Sequence, residues 1–389
     1  MSDLMVIAGV AYDPGGARAI LPVLARHSEE GKNVFALLAG PALSICQNEF
    51  RKLRYFSLDD EIAQEAIAAI LQQEKARILV SASGLYNQIE HTARLAGKNS
   101  GIRVVAVLDW WWYYKERFER VMPDGSVVQS RPDFVCALDQ MTKEGLIQAG
   151  FSPEQIEVTG GPNLEWSQKK IQRDEPRRDA IRASLGVRLG QRCAVFFSEP
   201  YIKAVDGLPW AGLGGYYNDD EEPIYGYTPH TMLKEVASAL VELAKGEKVV
   251  LVVKPHPMEH IPSLCLVIEQ LKEQFDLEIV LSSEADPARL CVAGDIFFGM
   301  VSIVLLEAGL TGKPVLSVQI GLDASQKEDA CISNTLGLSQ SIFSRENLKN
   351  ALATVDLSEK PSSGKIIPLC LGSTILVAQF LEQRFLHEI

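Results

Sequence analysis

His256 is one of only six histidines, and it stands between two prolines at the end of an apolar run, in the stretch VVLVVKPHPMEH at 249–260. Proline fixes φ and removes an amide donor, so a proline on each side suits a turn that holds one side chain at a sheet end. A second group of this kind lies in DIFFGMVSIVLLEAGLTGKPVLSVQ at 295–319, where Gly299 follows a short apolar strand and Ser302 opens a helical pattern. Free amides and the positive end of the helix dipole favour a phosphate at such a point. Glu307 follows inside an otherwise apolar helix, where a buried carboxylate needs polar partners such as ribose hydroxyls. A simple N-cap remains the alternative for Ser302, and a tight strand-to-helix turn the alternative for His256.

In the first half, Asp13 and Asp109 each stand just past an apolar run, LMVIAGV and IRVVAVL. A carboxylate at such a strand end is placed to act as a general base. Gly15 and Gly16 open a helical pattern directly after Asp13, and Asp109 begins DWWWYYKERF. Five consecutive aromatics cannot share one face of a helix or strand, so some must face solvent, where rings stack on sugars. Trp110 and Trp111 are the expected platform, and Arg18 and Arg117 the cations expected to meet a substrate carboxylate or phosphate. Glu90 and His91, in the helix after Gly84, are a second choice for acid–base work. No DxD-like pair stands at a strand end, and the acidic run NDDEEP at 218–223 reads as a solvated loop, so neither a metal nor a cofactor is expected.

The elements that must position these groups are legible as alternation. Apolar runs LMVIAGV, NVFALLA, ARILVSA, IRVVAVLD, DFVCALD and IEVTG are separated by segments of helical period, and after a charged connector the alternation resumes with CAVFFSEP, VVLVVKPHP, LEIVLSS, DIFFGM and KPVLSVQI. Continuously apolar strands imply parallel sheets covered on both faces. The fold class expected is α/β, two Rossmann-like doubly wound domains facing a cleft. The boundaries are 1–170, 171–372 and a C-terminal helix at 373–389 that packs back on the first domain. Ligands bind outside the carboxyl ends of parallel strands, which is where Asp13, Asp109, His256 and Gly299 stand.

Composition narrows the partners. A formal net charge of −12 excludes a general nucleic-acid binder, which needs clustered cations to displace condensed counterions. The start MSDLMVIAGV lacks a basic n-region and reads as a first strand rather than a signal peptide, and no apolar run is long enough to span a bilayer. A cytoplasmic location is expected; peripheral membrane contact and a homodimer are left open. The seven cysteines show neither zinc spacing nor CxxC pairing and read as small buried hydrophobes. Residues 201–230, rich in Gly and Tyr, read as a lid or interaction segment.

The order of SEP at 198–200, KPHP at 254–257 and D-x3-G-x2-S-x4-E-A-x3-G-x-P from Asp295 resembles the donor domain of GT-B glycosyltransferases and of the related non-hydrolysing UDP-sugar 2-epimerases. The specific pattern spans about residues 193–320. The resemblance implies that Ser198, His256, Pro257, Gly299 and Ser302 hold the phosphates of a nucleotide-sugar donor and that Glu307 holds its ribose. His-Pro turns of this kind occur in bacterial sialyltransferases and capsule-type transferases. Gly15 and Gly16 resemble the glycine-rich loop that faces the donor, and TGGP at 159–162 resembles the turn before the interdomain crossover. The epimerases carry GD and EAG-R at two strand ends and an HRRE-like turn; here VSASG, VLDWWW and SEPY stand there, with Ser83 in place of one acid. The expected function is therefore a metal-independent glycosyltransferase of glycan or surface-polysaccharide biosynthesis, using a UDP- or CMP/CDP-linked donor, an unnamed acceptor, and Asp13 or Asp109 as base. The alternatives are a UDP-N-acetylglucosamine 2-epimerase-like enzyme and a non-catalytic nucleotide-sugar binder.

Overall fold

The computed structural model describes residues 5–85, 87–121, 124–200, 202–203, 215–217, 223–243, 248–284, 286–322, 331–355 and 371–385. Most of the 201–230 segment, and Cys370, lie outside them. The chain forms two compact units, Met1–Ser167 with Ile366–Ile389, and Gln168–Lys365. The division falls slightly before residue 170, within one helix, and the C-terminal residues grouped with unit 1 begin earlier than residue 373.

Unit 1 alternates β1 (Val6–Ala11), α1 (Pro14–Glu29), β2 (Asn33–Leu38), α2 (Gly40–Glu49), β3 (Tyr55–Ser57), α3 (Gln64–Gln73), β4 (Ala76–Ser81), α4 (Ile89–Asn99) and β5 (Arg103–Val107). A short antiparallel hairpin, β6 (Glu119–Val121) and β7 (Val127–Gln129), then precedes β8 (Phe134–Ala137), α5 (Gln140–Gln148), β9 (Ile156–Val158) and α6 (Pro162–Asp174). The seven-stranded sheet is parallel throughout, in the order β3-β2-β1-β4-β5-β8-β9. β1 is buried along its whole length, as a strand covered on both faces must be.

Unit 2 contains α7 (Arg178–Ser184), β10 (Arg192–Phe197), the two-stranded pair β11 (Ile202–Lys203) and β12 (Gly215–Tyr217), and α8 (Pro229–Leu243). There follow β13 (Val249–Lys254), α9 (Ile261–Gln274), β14 (Glu278–Leu281), α10 (Pro287–Ala293), β15 (Ile296–Gly299) and α11 (Ile303–Gly309). β16 (Val315–Val318), α12 (Ile332–Thr335), β17 (Gln340–Ile342) and α13 (Arg345–Thr354) complete it. Its six strands are parallel, in the order β14-β13-β10-β15-β16-β17.

The last helix, α14 (Ser373–Phe385), belongs to unit 1: Val377, Ala378, Leu381 and Phe385 enter its core, and Phe380 and Phe385 meet Phe134 edge-on. The strands absent from the sequence reading, β3, β6, β7, β11, β12 and β17, are two or three residues long, too short to carry a period. Five of the six described cysteines are buried. No helix among the described residues is long and apolar enough to cross a membrane.

Candidate functional site

Each sheet has one point where the strand order reverses, and the loops beyond it open a crevice at the carboxyl edge. In unit 1 this lies between β1 and β4, so Tyr12-Asp13 and Ala82-Ser83-Gly84 lie side by side; in unit 2 it lies between β10 and β15, beside Ser198-Glu199 and Met300-Val301-Ser302.

A fully buried carboxylate bridges the unit 1 crevice. Glu90, in the first turn of α4, accepts the Tyr12 amide at 3.0 Å on Oε1 and the Gly84 amide on Oε2. Its own amide donates to Asn87 Oδ1 at 3.1 Å, and Asn87 Nδ2 donates to Asp13 Oδ2 at 3.0 Å. Burial raises the Glu90 carboxyl to about 7, the Asp13 carboxylate adds to the rise, and Arg94 with the two amides pulls it back. Burial also raises Asp13 above the ordinary carboxylate range, against the bond from Asn87; the Asp109 carboxylate raises it further and Arg117 lowers it.

Asp109 completes the cluster. Its Oδ1 accepts from Ser83 Oγ and from Arg117 Nη1, each at 3.3 Å, and its Oδ2 rests so close to Gly15 that a Cβ there would lie 2.4 Å away. Gly84 is equally confined: a Cβ would sit 2.1 Å from Asn87 Nδ2 and 2.2 Å from Asp13 Oδ2. Gly84→Ala is therefore expected to displace Asn87 and the Asp13 carboxylate and to destabilise unit 1 by about 1–3 kcal/mol, as read by urea unfolding. Behind the cluster the fully buried Arg94 donates to Ser81 Oγ at 3.0 Å, Ala82 O at 3.1 Å, Ser130 O at 3.0 Å and Arg117 O at 2.8 Å, which fixes the end of β4.

Three sequence expectations need correction. Trp111 is no platform: it is wholly buried and donates Nε1–H to Asp139 Oδ2 at 2.7 Å, because the loop turns it into the core and leaves Trp110 and Trp112 half-buried and Tyr113 exposed. Tyr113 carries a φ of 61°, the left-handed backbone this reversal requires. Arg117 is buried, donating to Asp109, to Ser83 O and, through Nε, to Trp112 O at 2.9 Å. Arg18 pairs with Glu49 at 3.1 Å and so turns toward α2.

In unit 2, Glu199 rather than Ser198 crosses the crevice, accepting the Val301 amide at 2.6 Å. Below that loop Tyr227 donates to Gln319 Oε1 at 3.4 Å, Gln319 Nε2 to Ser317 Oγ at 3.0 Å, and Ser317 to Met300 O at 2.6 Å. Ser302 caps α11, its Oγ accepting the Val304 amide at 3.3 Å. Gly299 has Leu305 and Phe197 O within 3.2 Å of where a Cβ would lie, so the chain packs tightly there. Glu307 is half-buried, near enough to help burial push the Cys291 thiol up.

His256 accepts the Met258 amide on Nδ1 at 3.1 Å, which leaves Nε2–H as its donor, and Pro257 beside it is exposed. Burial lowers the His256 pKa; Glu259 works against this and Lys254 with it. The imidazole is thus held as a neutral donor at the end of β13.

Among the described residues one trio of metal-type side chains comes together, His27, Glu30 and Glu382. The Lys32 ammonium stands among them, 3.1 Å from His27 Nδ1 and 3.2 Å from Glu30 Oε2, and pairs with Glu382, so a cation already fills that position.

Sequence reasoning missed Asn87, Arg94 and Glu199, and ranked Glu90 second. A signal for two of them exists: Asn87-x-x-Glu90 has the spacing of an N-terminal capping pair ahead of an amphipathic helix.

No protein-family model matches the chain, and no curated protein matches it. Solved structures do. The UDP-GlcNAc 2-epimerase from Methanocaldococcus jannaschii is similar at a TM-score of 0.68, with 12% identity over 99% of this chain and 100% of that one. The fold is GT-B-like. The UDP-GlcNAc 2-epimerase from Neisseria meningitidis bound to UDP-GlcNAc gives 0.65, with 13% identity over 97% and 100% of the two chains. A glycosyltransferase from Rickettsia africae gives 0.56, with 15% identity over 99% and 98%. At these identities the likeness shows the fold alone, and the chemistry must be argued from the residues.

Proposed function

We propose that this protein is a glycosyltransferase that takes a sugar from a uridine nucleotide-sugar and transfers it to a hydroxyl acceptor. The observation that carries the reading is the half-buried Asp13 carboxyl at the strand-order reversal of unit 1, raised by burial and oriented by Asn87. A carboxyl raised toward the working pH is suited to take a proton from a hydroxyl nucleophile. Asp109, held by Ser83 and Arg117, is an electrostatic neighbour that keeps Asp13 basic. Trp112 and Tyr113 supply ring surface beside the carboxylates.

In unit 2 the neutral His256 offers Nε2–H to a donor phosphate, and the 299–302 loop, tied down by Glu199 and Ser317, offers Ser302. Glu307 on α11 takes the ribose. Support for a uridine donor comes from similar solved proteins described with UDP or UDP-GlcNAc bound.

The epimerase remains a second reading, because three carboxyls, Asp13, Glu90 and Asp109, gather where the sequence shows Ser83 in place of an acid. Glu90 spends both oxygens on backbone amides, which weighs toward transfer. Thermal shift of the full chain with UDP, CMP, CDP, GDP and their sugar conjugates tests donor choice. UDP at about 100 times its Kd is expected to stabilise by about 2.7 kcal/mol, an effect that His256→Ala abolishes. Incubation with UDP-GlcNAc in heavy water separates the activities. Deuterium at C2 of the sugar identifies an epimerase, and acceptor-dependent UDP release without exchange identifies a transferase.

A further inference from the structure

Glu259 closes the turn that presents His256, and its side chain is wholly buried. Its amide donates to His256 O at 2.9 Å, and its Oε2 accepts the His256 amide at 3.4 Å. Among Pro255, His256 and Pro257 only His256 has an amide to give, and this carboxylate takes it. The turn is thus closed twice by one residue, in the reciprocal manner of a capping box. A carboxylate without solvent needs further polar company, because a buried charge left alone is costly. The other oxygen, Oε1, lies 3.3 Å from His230 Nε2, within ion-pair distance when that imidazole is protonated.

His230 belongs to the first turn of α8, and that helix end is fixed from other sides as well. Thr228 and Thr231 exchange bonds, from the Thr228 amide to Thr231 Oγ1 at 2.8 Å and from the Thr231 amide to Thr228 Oγ1 at 3.2 Å. Just before them, Tyr227 donates to Gln319, which reaches Met300 O through Ser317. Met232 Sδ accepts the Ile320 amide at 3.3 Å, and a Cβ on Gly226 would lie 2.0 Å from Gly321 O. The start of α8 is therefore tied both to the His256 turn and to the loop that carries Ser302. Glu259 also acts on the His256 ring itself, opposing the fall in pKa that burial imposes.

We propose that His230 and Glu259 are positioning residues of the donor site, locking the His256 turn to the start of α8 so that one helix end sets both phosphate-facing groups, His256 Nε2–H and Ser302. The inference rests on the donor reading of His256, and neither positioning residue meets the phosphate in it. The need for such a device is mechanical. The prolines fix φ at 255 and 257 but leave the backbone of His256 to be set by its contacts, and Glu259 supplies them. Without His230 the carboxylate faces an apolar void, which it relieves by taking a proton or by leaving the turn, and either weakens its hold on the His256 amide. The fold survives that loss, because β13 and α8 meet in a core of their own that includes Leu251, Val253, Leu233 and Val236.

The test compares the full chain as wild type, His256→Ala, His230→Leu and His230→Gln, by calorimetric titration with UDP and by hydrogen–deuterium exchange at the amides of His256, Met258 and Glu259. His230→Leu is expected to weaken UDP about tenfold, the scale of one hydrogen bond to a charged group, and to speed exchange in the turn while β13 and α8 stay protected. Glutamine brings an amide nitrogen to the place of Nε2, so His230→Gln is expected to return UDP affinity to within about twofold of wild type and the turn to slow exchange. Exchange that rises throughout α8 and β13, or a loss of UDP binding that His230→Gln does not recover, makes the pair merely structural and overturns the proposal. A defective His256→Ala beside an unaffected His230→Leu overturns the proposal alone. UDP binding that is absent, or indifferent to His256→Ala, overturns the donor reading and the proposal with it.

Discussion

Replacement of Asp13 by Asn is expected to lower turnover by about 10²–10⁴-fold while leaving nucleotide affinity within twofold of wild type. The substitution keeps the shape of the side chain, and its carbonyl oxygen can still accept from Asn87 Nδ2, so the crevice between β1 and β4 should retain its geometry. What disappears is the ability to take up a proton. Because burial and the Asp109 carboxylate raise Asp13, the base is active only above its raised pKa. The wild-type profile of kcat/KM should therefore fall as pH drops through a value above the ordinary carboxylate range. Asp109→Asn removes a charge that raises Asp13 and should shift that acid limb to lower pH. Loss of turnover in Asp109→Asn equal to that in Asp13→Asn, with the limb unmoved, would assign the proton transfer to Asp109 instead.

How far the sequence could carry the fold is plain from β1 and β10, apolar runs whose residues are buried on both faces. Such strands announce parallel sheets, and the strand-end rule then pointed to Asp13, Asp109, His256 and Ser302 as candidates. It failed where side chains act across the sheet. Glu199 sits between two residues the reading did weigh, yet its partner is an amide 102 residues away. Arg94 looks like an ordinary helix cation until the chain folds three segments around it. Trp111 was misplaced because a run of aromatics fixes that some point inward but not which; the choice is made by Asp139, the N-cap of α5, which offers the indole a buried acceptor. Local pattern reveals which groups reach a sheet edge, whereas the pairing among them depends on contacts of long sequence separation.

Glu90→Gln is expected to destabilise unit 1 by roughly 2–3 kcal/mol, although the exchange is nearly isosteric. Both carboxylate oxygens accept backbone amides, from Tyr12 and Gly84, and a carboxamide must turn its NH2 toward one of them. Two donors then face each other where nothing else can accept. The pH dependence tests the same site. Glu90 is raised from 4.5 to about 7, so its contribution is fully present below about 4.5 and is lost as pH rises through about 7. His27 and His91 are lowered from 6.5 to about 4, each chiefly by burial, so theirs is present above about 6.5 and is lost as pH falls through about 4. Between pH 4.5 and 6.5 the unfolded chain binds two histidine protons and the folded chain keeps one on Glu90, a net uptake of one on unfolding. Counting these three groups, unit 1 should lose about 1.4 kcal/mol per pH unit on acidification, and Glu90→Gln should double that slope. Trp110, Trp111, Trp112 and Trp166, four of the five tryptophans, lie in unit 1, so urea unfolding followed by tryptophan fluorescence at several pH values reads the slope directly. An unchanged slope in the variant would mean that Glu90 is ionised throughout this range, its charge carried by Arg94 and the two amides.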